Sequence, residues 1–399
     1  MSVKKLSCSL GYNHMLLTIY TKHMVRPGSL PFRTDYLFLL LVCAALLAVL
    51  AQDVPGTILV ALTACANLFF SRFVLRLRAL QPKASHQVRQ LYREVAVHAA
   101  RRIFFCWVVL LLVALASGLS ARAMFLFAAA TVVALVPAGL PGLIAWLQET
   151  GPRTDGPAAI RPIARAIVGS LTPAWSALCL VACSLVGAVA FHAPLGISLP
   201  ELIVLDALVV APALAALRFD RPEPDAPKVR YRAHQPLLSR RNLLGLPWAA
   251  LFAGALAYTN FVLFFPRRGL SPEYVAYGSH IHEQATALAF ATLALCALGD
   301  LLQRRSSDGL LTRYQLHNRR LWPAVGIMVF ATLCIIYIPG VSSLFQTAPL
   351  SPVDWLFAFA AALLFTLLRT LEHHTRTHSR TQLIARHGHE KIKKHLKLI

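Results

Sequence analysis

Apolar residues run along this chain in long blocks separated by short polar segments. A membrane-spanning helix needs about 20 mostly apolar residues, and ten blocks fit that reading. They fall into pairs: Tyr36–Ala51 with Pro55–Phe73, Ile103–Gly118 with Ala123–Leu147, Ile167–Phe191 with Leu199–Leu217, Leu243–Phe265 with Gln284–Gln303, and Leu321–Val341 with Pro352–Leu371. A tight or modest loop joins four of the pairs, the first through the Gln52-Asp53 turn; the exception is the longer polar stretch Pro266–Glu283. The pattern predicts an all-α, polytopic bundle of ten transmembrane helices over 36–371. A cytoplasmic segment, 1–35, precedes it and a basic, His-rich cytoplasmic tail, 372–399, follows.

Loop charge supports that count. With the N-terminus inside, and counting Arg72 with the segment that follows it, 36 of the 39 Lys and Arg lie on the cytoplasmic side. Only Arg122, Arg267 and Arg268 lie on the other. Lys and Arg near span ends favour the inside, and a miscounted span would scramble the split. Both termini are therefore expected in the cytoplasm, at the plasma membrane, or the inner membrane of a bacterium. The first residues are polar, without the apolar core and small-residue cleavage site of a cleaved signal peptide.

Composition narrows the reading. The chain of 399 residues is 57% hydrophobic and 14% charged, with mean hydropathy +0.60, against roughly 45–50% and about 25% in soluble domains. A net charge of +22 would suggest nucleic acid in a soluble protein. In a chain this apolar it marks basic loops facing anionic lipid, so the bilayer and not nucleic acid is the expected partner. Seven of the eight Cys sit in apolar runs, as small hydrophobes rather than a disulfide framework. The loop Val74–Arg102 has helical spacing and is expected to extend the flanking spans as amphipathic helices along the membrane surface. Arg218–Asn242, rich in Pro and Arg, reads as an ordered loop.

Several segments in order resemble the membrane domain of P-type cation-transporting ATPases, the superfamily of calcium, sodium/potassium and proton pumps. Ala215–Arg241 resembles the family's loop after its sixth span, Thr286–Ser306 its eighth span, and Ile335–Phe357 its passage from ninth to tenth. Val132–Leu147 resembles the fourth span with its Pro-Glu-Gly-Leu-Pro motif, and the first two blocks resemble spans one and two, including Asn67. The resemblance runs from Tyr36 to about Arg369, with the ATPase C-terminal part over 167–371. It implies a cation pathway lined by spans four, five and six.

The departures matter as much. The family's actuator domain belongs between spans two and three, its phosphorylation and nucleotide-binding domains between spans four and five. Here those places hold only Val74–Arg102 and Gln148–Ala166. No Asp-Lys-Thr-Gly-Thr, Thr-Gly-Glu-Ser or Walker-type loop occurs. No enzymatic activity and no cofactor are expected, since nothing is present to couple phosphoryl transfer to transport.

The ion ligands are depleted too. The span-four motif reads Pro137-Ala138-Gly139-Leu140-Pro141, so the helix break of Pro137, Gly139 and Pro141 is kept while the family's Glu is Ala138. A gapless match from Phe219 puts Asp206 at the family's Asn on span six and Val210 at its Asp. Span five offers Thr172 and Ser176. These six residues (Pro137, Gly139, Pro141, Thr172, Ser176, Asp206) form a candidate remnant ion pathway. Asp206 has two readings: an intramembrane acid marking function, or structural glue bonded to Thr172, Ser176 or the Pro137 carbonyl. Asp300 is expected to pair locally with Arg304 and Arg305. Asn67 and Asn260 are expected to hydrogen-bond between helices, Cys179 and Cys183 to pack, and His280-Ile281-His282-Glu283 to be a solvated loop rather than a metal site.

Three functions remain. One is a non-catalytic pump-like scaffold or regulatory subunit, with another membrane or cytoplasmic protein docked on its basic face. The second is a passive or partner-driven cation pathway. The third, least supported, is the membrane half of a split pump.

Overall fold

The computed structural model describes residues 36–77, 82–136, 157–210, 246–303 and 321–371. The terminal segment 1–35, the tail 372–399, the loop Arg218–Asn242 and the Pro137, Gly139 and Pro141 break lie outside the described residues. Among the described residues there is no strand, and a helical segment falls in each of the ten apolar blocks.

The helices are α1 (Tyr36–Leu50), α2 (Val54–Leu77), α3 (Pro82–Ser117), α4 (Ala121–Leu135), α5 (Pro157–Phe191), α6 (Leu199–Val204), α7 (Leu246–Phe264), α8 (His280–Gln303), α9 (Leu321–Tyr337), α10 (Pro339–Phe345) and α11 (Pro352–Leu371). Five of them are long and apolar enough to cross a membrane, and six segments are if the bent pair α9 and α10 counts as one. Phe38–Leu50, Val54–Phe69 and Ala121–Leu135 are apolar but shorter. The protein is thus a multi-pass helical membrane bundle.

Three boundaries differ from the sequence reading. Leu321–Val341 is not one straight span: the chain bends by 88° after Tyr337. Ile338 is extended (φ −80°, ψ 114°) ahead of Pro339, because proline disfavours helical backbone in the residue before it and lacks an N–H of its own. α8 begins at His280, so the His280–Glu283 stretch is the first turn of a helix and not a loop. α3 is one uninterrupted helix of 36 residues, so the third apolar block is only its C-terminal half.

α8 lies at the centre. Of its apolar window 78% is buried, against 17% for Ala100–Ser117 of α3. It is buried all round over Ala285–Ala294, where Ala285, Ala287, Ala289, Ala291 and Ala294 are small. Runs of small residues let helix backbones approach closely where lipid offers no hydrophobic drive to association. α7 packs on α5 and on α8, and α1 packs on α2 and α4. Asn260 donates to Thr292 Oγ1 of α8 at 2.9 Å and to the Phe357 carbonyl of α11 at 3.3 Å, so this amide does bridge helices. The buried Asn67 amide nitrogen finds no partner among the described residues.

The start of α11 is tied down by charge. Asp354 accepts from the Ser351 N–H (3.1 Å) and hydroxyl (2.7 Å), while the Asp354 N–H donates to Ser351 Oγ at 3.3 Å. This is a reciprocal cap. Arg268 reaches the same carboxylate at 3.1 Å and Arg267 at 3.9 Å, each also lying over a ring, Phe264 and Phe357. Asp354→Ala is expected to cost about 2 kcal/mol: roughly 1 for the cap, and no more than about 1 for pairs whose arginines are part-exposed. Thermal unfolding in detergent measures it, and Asp354→Asn should recover only the cap share.

Candidate functional site

A small cavity, about large enough for one water molecule, opens between α5, α6, α7, α8 and α11. Thr172, Pro173 and Ser176 of α5 line it, with Leu205, Ala253, Leu293, Cys296, Ala297, Asp300 and Phe365. The two span-five hydroxyls expected on a pathway thus face one shared space. Both residues are buried, and Ser176 Oγ donates to the Thr172 carbonyl at 2.9 Å.

Asp206 is half-buried and falls at the second residue of a π-helical turn, Leu205–Val210, that continues α6. A π turn widens the helix and shifts its hydrogen bonds to i→i+5, a distortion frequent at functional sites. Its neighbour Leu205, rather than Asp206, lines the cavity among the described residues.

Asp300, 3% exposed, supplies the cavity's carboxylate. Arg369 of α11 donates to it through Nε at 3.3 Å. Arg304 and Arg305, to which the sequence reading looked, lie outside the described residues; the Arg369 link between helices was not read from the sequence. Cys179 and Cys183 stack with sulfurs 4.0 Å apart, and Cys179 donates to the Leu251 carbonyl at 3.3 Å. Among the described residues no three metal-ligating side chains gather.

The second polar concentration was read from the sequence only as a turn. Asp53, 3% exposed, accepts from the Gly56 N–H (3.1 Å), Gln346 Nε2 (3.2 Å) and the Tyr277 hydroxyl (3.4 Å). Arg122 donates to the adjacent Ala51 carbonyl at 3.0 Å. Ser198 donates to the Phe345 carbonyl at 3.4 Å, and His282 Nε2 bonds the Leu195 carbonyl at 2.9 Å. Four connections meet here, 51–53, 192–198, 265–279 and 346–351, with Arg122 of α4 beside them. His282 is buried while His280 is exposed, so the His-x-His pair points in two directions and cannot chelate.

Gly56 makes room for this cluster. A Cβ there would lie 2.8 Å from Asp53 Cγ and 3.1 Å from Leu199 Cβ. Gly56→Ala is expected to push the carboxylate off its donors and lower the unfolding midpoint; a midpoint equal to wild type would contradict the packing. Burial, and the nearby carboxyls of Asp53 and Glu201, hold the Tyr277 phenol well above its ordinary value. The folded state then keeps this proton after the unfolded chain has lost it. The stabilisation is whole below the unfolded value of about 10 and fades as pH rises beyond it. A Tyr277→Phe variant should lose stability less steeply above about pH 10 than wild type does.

These features define a polytopic helical membrane domain with a small, mostly apolar cavity, into which Thr172, Ser176 and Asp300 bring polar groups, and tied turns at one end. Residues 197–374 match the family described as cation transporting ATPase, C-terminus. A stretch of 161 residues, 39% of this chain, is 29% identical to the calcium-transporting ATPase of Bacillus subtilis (strain 168). Over residues 197–374 the chain is thus similar to the C-terminal membrane part of P-type cation-transporting ATPases. The matched stretch spans 16% of that relative's length.

Proposed function

We propose that this protein is a pump membrane domain without its ATPase motor, a non-catalytic scaffold or regulatory subunit that crosses the membrane ten times with both termini in the cytoplasm. The connection between α2 and α3 carries the proposal: residues 78–81 alone separate helices ending at Leu77 and starting at Pro82. Four residues cannot hold the actuator that the resemblance places there. The 21 residues between Leu135 and Pro157 are also far below the roughly 50 of a minimal domain. The basic face is the docking surface for another membrane or cytoplasmic protein.

Purified protein incubated with labelled ATP should form no acyl-phosphate, and mild extraction should bring a partner down with it. A phosphorylated intermediate on this chain would overturn the proposal.

One observation favours a second reading, a cation pathway: Thr172, Ser176 and Asp300 share a cavity beside the π turn that holds Asp206. Liposome flux that falls at least tenfold in Asp206→Asn would select it over a pure scaffold.

A further inference from the structure

Glu201 sits one turn into the α6 segment, beside the tied turns, and is 0% exposed. Its Oε2 accepts the Ser198 N–H at 2.7 Å as half of a capping box. Its Oε1 has no hydrogen-bond partner among the described residues. The Thr286 hydroxyl, equally buried, lies beside this carboxyl and also 3.2 Å from the Glu283 carbonyl, so its one proton serves a single acceptor at a time. With that proton on the Glu283 carbonyl, Thr286 turns oxygen lone pairs toward a carboxyl oxygen that has no donor among the described residues.

The charges around this gap have one dominant sign. Glu283 lies within electrostatic reach of Glu201. Tyr277 lies within reach of Glu201, Asp53 and Arg122. Arg122 hydrogen-bonds the Ala51 carbonyl through Nε, and the ring of His282 is committed to the Leu195 carbonyl and the Gly278 N–H. A bare carboxylate oxygen in a dry interior is one of the costliest arrangements in a protein. A water would fill the gap without balancing the charge. A single positive charge would do both.

We infer that Glu201 Oε1 and Thr286 Oγ1 form a binding site for one unit positive charge, a proton or an alkali-metal cation, at the tied end of the bundle. One unit charge matches the single carboxylate whose oxygen is left without a donor among the described residues. Occupancy locks α6 to α8 beside the turns that Asp53 gathers. The site stands apart from the cavity at Thr172 and Asp300, and it needs neither ATP nor a partner.

The test uses the full chain in detergent, with thermal unfolding followed across pH in sodium, potassium and choline chloride at matched ionic strength. A proton occupant raises the midpoint as pH falls, whatever the salt. An alkali-metal occupant raises it at alkaline pH in sodium or potassium over choline, which is too large to enter. Glu201→Gln, whose amide brings its own donors, should lose whichever of these two rises wild type shows while keeping the alkaline fall that Tyr277 gives, and Asp53→Asn should keep the rise. Equal pH and salt responses in wild type and Glu201→Gln overturn the proposal. Should Glu201→Gln fail to fold, infrared spectra of wild-type protein labelled with carbon-13 glutamate decide. A solvent-inaccessible glutamate band must shift between the two conditions, and its constancy overturns the site. Neither result bears on whether the chain forms a phosphorylated intermediate, so this site and the motorless reading fail separately.

Discussion

Asp53→Ala is expected to destabilise the protein by about 3 kcal/mol, the largest single-residue effect at the tied end. The change removes the acceptor of three donors at once: the Gly56 N–H, Gln346 Nε2 and the Tyr277 hydroxyl. Each buried donor left unmet costs about 1–3 kcal/mol. Gln346 is part-exposed and can turn toward water, and removing a buried carboxylate relieves its own desolvation, so the sum falls well below three full penalties. Asp53→Asn keeps the shape and one acceptor oxygen and should cost about half as much. Unfolding in detergent gives the stability, and limited proteolysis gives the location. Cleavage should rise first in 265–279 and 346–351, the connections that donate to Asp53. Unchanged protection there would show that the turns are held by something else.

Gly254→Leu is expected to cost about as much or more, by a different route. A Cβ at Gly254 would lie 2.5 Å from the Ser176 carbonyl oxygen, 2.6 Å from Cys179 Cβ and 2.9 Å from the Leu180 nitrogen. Two of those three atoms are helix backbone, which cannot swing aside as the tip of a side chain can. Overpacking a tight interface costs about 1–3 kcal/mol, sometimes more. Here the relief requires α5 and α7 to part. Their separation would also reshape the cavity, which Ser176 and Ala253 both line. Gly254→Ala should show the same sign with a smaller loss. A folded Gly254→Leu protein with a wild-type midpoint would mean that the helices are not in this contact.

The ten apolar blocks announced where helices would form, because burying a hydrogen-bonded backbone in lipid leaves few alternatives to the helix. The bend at Ile338 was also written in the chain, in Pro339, yet hydropathy alone runs through it. What stayed hidden were pairings between distant residues. Asp53 looked like a solvated turn because its partners lie 224 and 293 residues away. Asp300 has Arg304 and Arg305 close in sequence, outside the described residues, and it also bonds Arg369, 69 positions on, since helices α8 and α11 lie side by side. Glu201 carried a local signal that went unread: Ser198 followed three residues later by Glu, after which an apolar run begins, is the pattern of a capping box. Thr172 and Ser176 were legible as a pair from their i, i+4 spacing. Their meeting with Asp300 was not.

The length of α3 sets a distance. Its apolar window occupies Ala100–Ser117, and the same unbroken helix of 36 residues starts at Pro82. The 18 residues ahead of the window add about 27 Å at 1.5 Å per residue, nearly another hydrocarbon thickness. With only residues 78–81 between it and α2, this length is a stiff strut rather than a tether. Anything seated against its far end is held at a fixed height above or beside the lipid, and shortening the strut by whole turns would lower that seat in steps of about 5.4 Å.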